Sequence, residues 1–280
     1  MKTALIAISL LGSALAANAA DPKPHAAGLE NAGYRLVWND EFNAPGYTPA
    51  DMDGRWVTPP ARSAAWNKYI ANRDDLRMQH DGSIWLIAKE NDGKNPDDTR
   101  PWISGALKSQ GKFNFLYGYA EARMRTPYID GSFPAFWLMP ENSPLPWPEC
   151  GEIDIFEQAN PDGRSWHTIH GAWNKGGSGG YTSEPVKVDY NDWHIYGLEW
   201  TPEKLEWFVD GKSVFTVKRD DPRLLGTWPF DYPYYVILNQ SVGNGGFAGN
   251  PIPGKTYLTE VDYVRVFQKP GQTNHGGLKP

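Results

Sequence analysis

Apolar and polar residues alternate with a period of two over most of this chain. In "LEWFVDGKSVFTVK", Leu205, Trp207 and Val209 alternate, Asp210-Gly211 interrupts, and the pattern then resumes. An Asp-Gly step between alternating runs predicts a tight β-hairpin. "LRMQHDGSIWLIAK" repeats the arrangement around Asp81-Gly82. "YGYAEARMRT", "HIYGLEWT", "YYVILNQSV" and "VDYVRVF" are further predicted strands, and no window of 11 residues carries a helical period. The pattern predicts an all-β fold of many antiparallel strands packed as a two-sheet sandwich. No fixed-period repeat points to a propeller or solenoid. One domain is expected over residues 34–269, with an unstructured lead-in at 20–33 and a flexible tail at 270–280.

One stretch breaks step. In "GEIDIFE", Glu152 and Asp154 fall on one face of a regular strand, and Glu157 falls on the other, toward the core. A charged glutamate in a core is costly. A β-bulge near Ile155-Phe156 would restore the phase and return Glu157 to the acidic face. Three acids on one face suit glycoside hydrolysis, in which one carboxylate attacks the anomeric carbon and another protonates the leaving oxygen. Crowding would split their proton affinities, and Asp154 could hydrogen-bond the nucleophile. A surface acid cluster without chemistry is the plain alternative. Calcium binding is a second alternative, but acids along a straight strand make a poor oxygen cage.

Composition narrows the field. The net charge of −6 and the lack of a basic stripe exclude nucleic acid as the expected partner. The 29 Gly and 24 Pro leave room for few helices, while 13 Trp and 14 Tyr suit a large β core or rings displayed to a flat ligand. Residues 1–19, a lysine and an apolar run ending in Ala17-Asn18-Ala19, are expected to be a cleaved signal peptide. That run is too short for a membrane span. Export with Cys150 as the sole cysteine implies stability from packing, with Cys150 a small buried filler.

The motif "GEIDIFE" resembles the bulged E-x-D-x-x-E signature of glycoside hydrolase family 16. "RLVWNDEFN", "YGYAEARMRTP", "FPAFWLMPEN", "WPECGEIDIFE", "YGLEWTPEKLEWFVDGK" and "VDYVRVFQ" resemble its bacterial laminarinase branch, from about Arg35 to Gln268. The resemblance implies a β-jelly-roll with a concave cleft and a retaining, endo-acting mechanism. It implies Glu152 as nucleophile, Asp154 as its assistant and Glu157 as general acid/base, with no cofactor for catalysis. Trp137 and Trp147 match tryptophans around the cleavage point, and His170 and Asn239 are expected to face the cleft. For Trp173, cleft and core are equally open. His167 and His170, three residues apart on a strand, face opposite sides and do not form a metal pair. The resemblance also implies a structural calcium at Asp262 with a carbonyl of Gly82, against an unoccupied surface carboxylate; Asp40 and Glu41 are the other nearby acids.

Two segments depart from the laminarinase pattern. Ala106 stands where that branch has an arginine, and Phe247 is the nearest aromatic where it has a cleft tryptophan. The reaction is therefore expected to be more secure than the substrate. β-1,3- or mixed β-1,3-1,4-glucan is the first expectation. Poly-N-acetyllactosamine of mucin-type glycans or another β-galactan is the rival, and a non-catalytic carbohydrate-binding protein is the reading from another class. A secreted or periplasmic monomer is expected.

Overall fold

Both Asp-Gly steps close hairpins in a computed structural model that describes residues 24–44, 54–159, 163–174 and 180–277. Asp81 and Gly82 have φ of 49° and 79°, and Asp210 and Gly211 have 49° and 75°. These left-handed pairs match the right-handed twist of the strands they join. The expected signal peptide lies outside the described residues.

Among the described residues, eighteen strands follow in order. The first nine are β1 (Arg35–Asp40), β2 (Arg77–His80), β3 (Ser83–Glu90), β4 (Trp102–Ser104), β5 (Ala106–Lys108), β6 (Asn114–Leu116), β7 (Gly118–Arg125), β8 (Ser132–Pro140) and β9 (Glu152–Glu157). The rest are β10 (Arg164–His170), β11 (Tyr181–Thr182), β12 (Val186–Lys187), β13 (His194–Trp200), β14 (Lys204–Val209), β15 (Lys212–Lys218), β16 (Tyr234–Val242), β17 (Tyr257–Gln268) and β18 (Thr273–His275). One sheet runs β15-β14-β13-β7-β17-β3-β2, with β1 added on β17 and β4 on β3. The other runs β11-β10-β9-β8-β16-β6-β18, with β12 on β10 and β5 on β16. The expected two-sheet antiparallel sandwich is what forms.

The aromatic excess is spent largely between the sheets. Trp56, Trp200 and Trp207 are fully buried, Trp38 stacks on Phe113 at 4.6 Å, and Phe156 stacks on Tyr196 at 4.1 Å. Truncating one such ring typically costs about 3–5 kcal/mol, so the sheets are locked face to face without cross-links. Cys150 is buried and free, as its filler role requires.

Two expectations at the ends are corrected. The lead-in is not unstructured throughout: Pro24–Asn31 forms helix α1. Its Leu29 packs with Tyr34, Tyr119 and Phe267, so tertiary burial stabilises a segment too short to be helical alone. Nor is the tail flexible throughout, because β18 pairs with β6. Gln268 holds it there, its Nε2 donating to the carbonyls of Leu116, Tyr117 and Thr273.

Candidate active site

The strand register contains the surplus residue that the acidic motif demands. On β8, Phe136 pairs with Phe156 and Trp137 with Asp154, so Ile155 has no partner of its own. On the other side Trp166 pairs with Glu157 and Thr168 with Asp154, one residue too few on β10. This is a β-bulge at Ile155-Phe156. Both bulge side chains go inward and are fully buried. Glu152, Asp154 and Glu157 all line one pocket on the outer side of that sheet.

The three acids share little water. Burial, then the neighbouring Asp154, pushes the Glu152 carboxyl up to about 8; His170 and a hydrogen bond from Trp147 pull against that rise. Burial also raises Asp154, which shares a hydrogen bond with Glu152, and raises Glu157, with Asp154 and Glu152 adding repulsion. Trp147 Nε1 donates to Glu152 Oε2 at 2.8 Å. His170 Nε2 lies 3.3 Å from Asp154 Oδ2 and 3.6 Å from Glu152 Oε1. Its tautomer follows from its other side. Gly171 N donates to Asn174 Oδ1 at 3.2 Å, which turns the Asn174 amide nitrogen onto His170 Nδ1 at 2.8 Å. Nδ1 therefore accepts, and Nε2 carries the hydrogen that faces the acids.

Atoms of Glu152, Asp154 and His170 lie within 4.8 Å of one another, close enough to ligate one cation. His167 and His170 lie on opposite faces of β10 and do not converge. His167 is fully buried on the core side, with burial pushing it down to about 4, while His170 is on the acid side.

Trp137 lines the acid pocket, nearly buried, with its Nε1 donating to Asn239 Oδ1 at 2.8 Å. Asn239 also lines it, but its amide nitrogen is engaged by Phe133 O and Ser241 Oγ at 3.1 Å each. Its first task is therefore to hold Trp137. Trp147 is exposed, its ring 5.7 Å from that of His170. Trp173 resolves to core packing, against Phe230 at 6.2 Å.

Of the further lining residues, only Phe247 was singled out in the sequence, in place of a cleft tryptophan. Trp66, from a loop, meets Trp137 edge-on at 4.7 Å. A larger cavity of about 550 Å³ adjoins Glu157, and Phe133, Trp166 and Phe247 form its aromatic wall. Phe247 meets Trp166 edge-on at 5.9 Å and Phe133 at 6.1 Å. Trp166 could have been found by counting through the bulge, since it pairs with Glu157.

Asp262 and Gly82 are on the other sheet, away from the acids. Asp262 Oδ2 is 2.7 Å from Arg123 Nη1. Glu41 is clamped by Arg265 at 2.7 and 2.9 Å, and Asp40 accepts from Trp56 Nε1 and Phe42 N.

The model of the family described as Glycosyl hydrolases family 16 matches residues 65–263. The chain is 34% identical, over 85% of its length, to a keratan-sulfate endo-1,4-beta-galactosidase of Sphingobacterium multivorum, but spans only 56% of that protein. It is 31% identical to a beta-glucanase of Rhodothermus marinus, covering 94% of this chain and 91% of the relative. Among solved structures it resembles SCLam, a non-specific endo-beta-1,3(4)-glucanase, with a TM-score of 0.73 and 32% identity over 85% of this chain and 92% of the other.

Proposed function

Because the chain belongs to glycosyl hydrolase family 16, we propose that it cleaves internal β-glycosidic bonds of a β-1,3- or mixed β-1,3-1,4-glucan, with retention of configuration. The observation that carries this reading is the bulge at Ile155, which returns Glu157 to the side of Glu152 and Asp154. Glu152 is the nucleophile. It receives the Trp147 N–H, which favours its charged form. Glu157, with its proton affinity raised, is the general acid. Glu152 attacks the anomeric carbon as Glu157 protonates the leaving oxygen. Glu157 then takes a proton from water as that water cleaves the glycosyl ester. His170, through Nε2–H, orients the Glu152–Asp154 pair. The chemistry needs no cofactor.

Trp147 and Phe247 are exposed rings lining the cavity that adjoins Glu157, and a sugar's apolar face suits such surfaces. The test is Glu152→Gln. We expect no measurable release of reducing ends from laminarin with an unchanged circular dichroism spectrum; retained turnover would remove Glu152 from the role.

A second reading, an endo-β-galactosidase, is favoured by the relative of highest identity quoted above and by Ala106. Ala106 pairs with Asn239, which lines the acid pocket, at the position where the laminarinase pattern has an arginine. Product analysis on laminarin, barley-type glucan and keratan sulfate separates the two readings. Residues 34–269 are the catalytic unit, secreted after removal of 1–19 and acting as a monomer. No helix among the described residues is long and apolar enough to cross a membrane.

A structural calcium fits the residues poorly. The Asp262 carboxylate already binds a guanidinium, and Glu41 and Asp40 are fully engaged. A cation at Asp262 would compete with Arg123 for the carboxylate.

A further inference from the structure

The bulge has to be held as well as formed, and what holds it is in the core. Two successive carbonyls, Asp154 O and Ile155 O, accept hydrogen bonds from buried side chains. Trp207 Nε1, reaching across from the opposite sheet, donates to Asp154 O at 2.8 Å. His167 Nδ1 contacts Ile155 O at 2.7 Å. His167 sits on β10 between Trp166, which pairs with Glu157, and Thr168, which pairs with Asp154. It therefore stands directly opposite the surplus residue.

We propose that His167 is a positioning residue, gripping the Ile155 carbonyl from the core side and so fixing the direction in which Glu157 leaves the strand. This rests on the reading of Glu157 as general acid/base. A carbonyl only accepts, so Nδ1 must carry the hydrogen, and Nε2 is left to accept from Ser165 Oγ at 3.3 Å. Full burial keeps the imidazole neutral at ordinary pH, so the donor is permanent. Without it the Ile155 carbonyl would lose its partner inside the core, and the backbone would relax by rotating the peptide two bonds before Glu157. Small errors of aim at a general acid are expensive because proton transfer needs heavy atoms within about 3 Å of each other.

Leaving-group dependence tests this. A general acid matters for a poor leaving group and hardly at all for a good one. kcat/KM for aryl β-laminariosides reports only the step up to aryl release. For His167→Leu we expect a loss of at least about tenfold on the phenyl glycoside and less than about threefold on the 2,4-dinitrophenyl glycoside. His167→Asn, whose amide N–H takes the place of Nδ1–H, should restore the wild-type ratio. His167→Gln, whose donor falls at the Nε2 position, should not, and it replaces His167→Leu if that variant does not fold. Equal losses on both glycosides, or a wild-type ratio in His167→Gln, would overturn the proposal. Glu157→Gln is the control. If it shows no leaving-group dependence, the acid/base reading itself has failed, independently of His167.

Discussion

Removing the Trp147 indole N–H while keeping a ring, as in Trp147→Phe, separates two jobs that one side chain does. The ring faces His170 at 5.7 Å and is open to a sugar, and its Nε1 donates to Glu152 Oε2 at 2.8 Å. A hydrogen bond to a charged group is worth about 1.5–3 kcal/mol. Trp147 is 46% exposed, so screening by water reduces this to about 1 kcal/mol. The bond stabilises only the ionised form of Glu152, so its loss raises the proton affinity of Glu152 further. At 1.36 kcal/mol per pH unit the shift is about 0.7 unit upward. The nucleophile must be ionised in the free enzyme. The acid limb of the kcat/KM profile on a soluble β-glucan should therefore move to higher pH by about 0.7 unit, with an approximately fivefold loss at pH values well below the limb. The alkaline limb, which belongs to protonated Glu157, should stay in place. A reducing-sugar assay in buffers spanning pH 4 to 10 measures both. A uniform drop at every pH with unmoved limbs would mean that Trp147 serves only as a platform for the sugar, and that the hydrogen bond does not tune the nucleophile.

Stability should also depend on pH through Glu121, a buried carboxyl on β7 outside the site. Burial raises it to about 7, against the opposing pull of Arg265 and a hydrogen bond from Tyr263. Its folded-state affinity for the proton exceeds the unfolded one, so its contribution is complete below about pH 4.5 and is lost as pH rises through about 7. The loss is on the order of 3 kcal/mol. Glu121→Gln should flatten the fall of Tm between pH 5 and pH 8; parallel Tm curves for variant and wild type would refute this. A chelator should leave Tm unchanged to within about one degree, because Arg123 occupies the Asp262 carboxylate; a larger fall in calorimetry would restore the calcium.

Much of the site was readable because burying a charge is costly. Glu157 fell on the wrong face of a regular strand, and the least costly remedy was one surplus residue, which the register contains at Ile155. The hairpins were readable for a similarly local reason, since Asp81-Gly82 and Asp210-Gly211 supply the left-handed conformations the turns require. Long-range partnerships were not. Helix α1 is stabilised by Tyr119 and Phe267, far along the chain, and β18 by Gln268 reaching to Leu116 and Tyr117. Trp66 approaches Trp137 from a loop with no period to read. Trp207 looked like one more apolar position in an alternating strand, and only the packed sheets show its N–H on Asp154 O.

The same physics links the chemistry to the core beneath it. A retaining hydrolase needs an acid that keeps its proton near neutrality, and burial is what raises Glu157. Burying three carboxyls on six residues of strand opposes folding, and the strand must also give up regular pairing where it bulges. The compensation lies on the reverse face. Ile155 and Phe156 are fully buried there, Phe156 stacks on Tyr196, and the bulge carbonyls are satisfied by His167 and Trp207. The bulge between Asp154 and Glu157 is thus held from the core side, which limits how far that stretch of backbone can relax. For this reason a conservative change at a buried, non-acidic position such as His167 should affect proton transfer more than substrate binding.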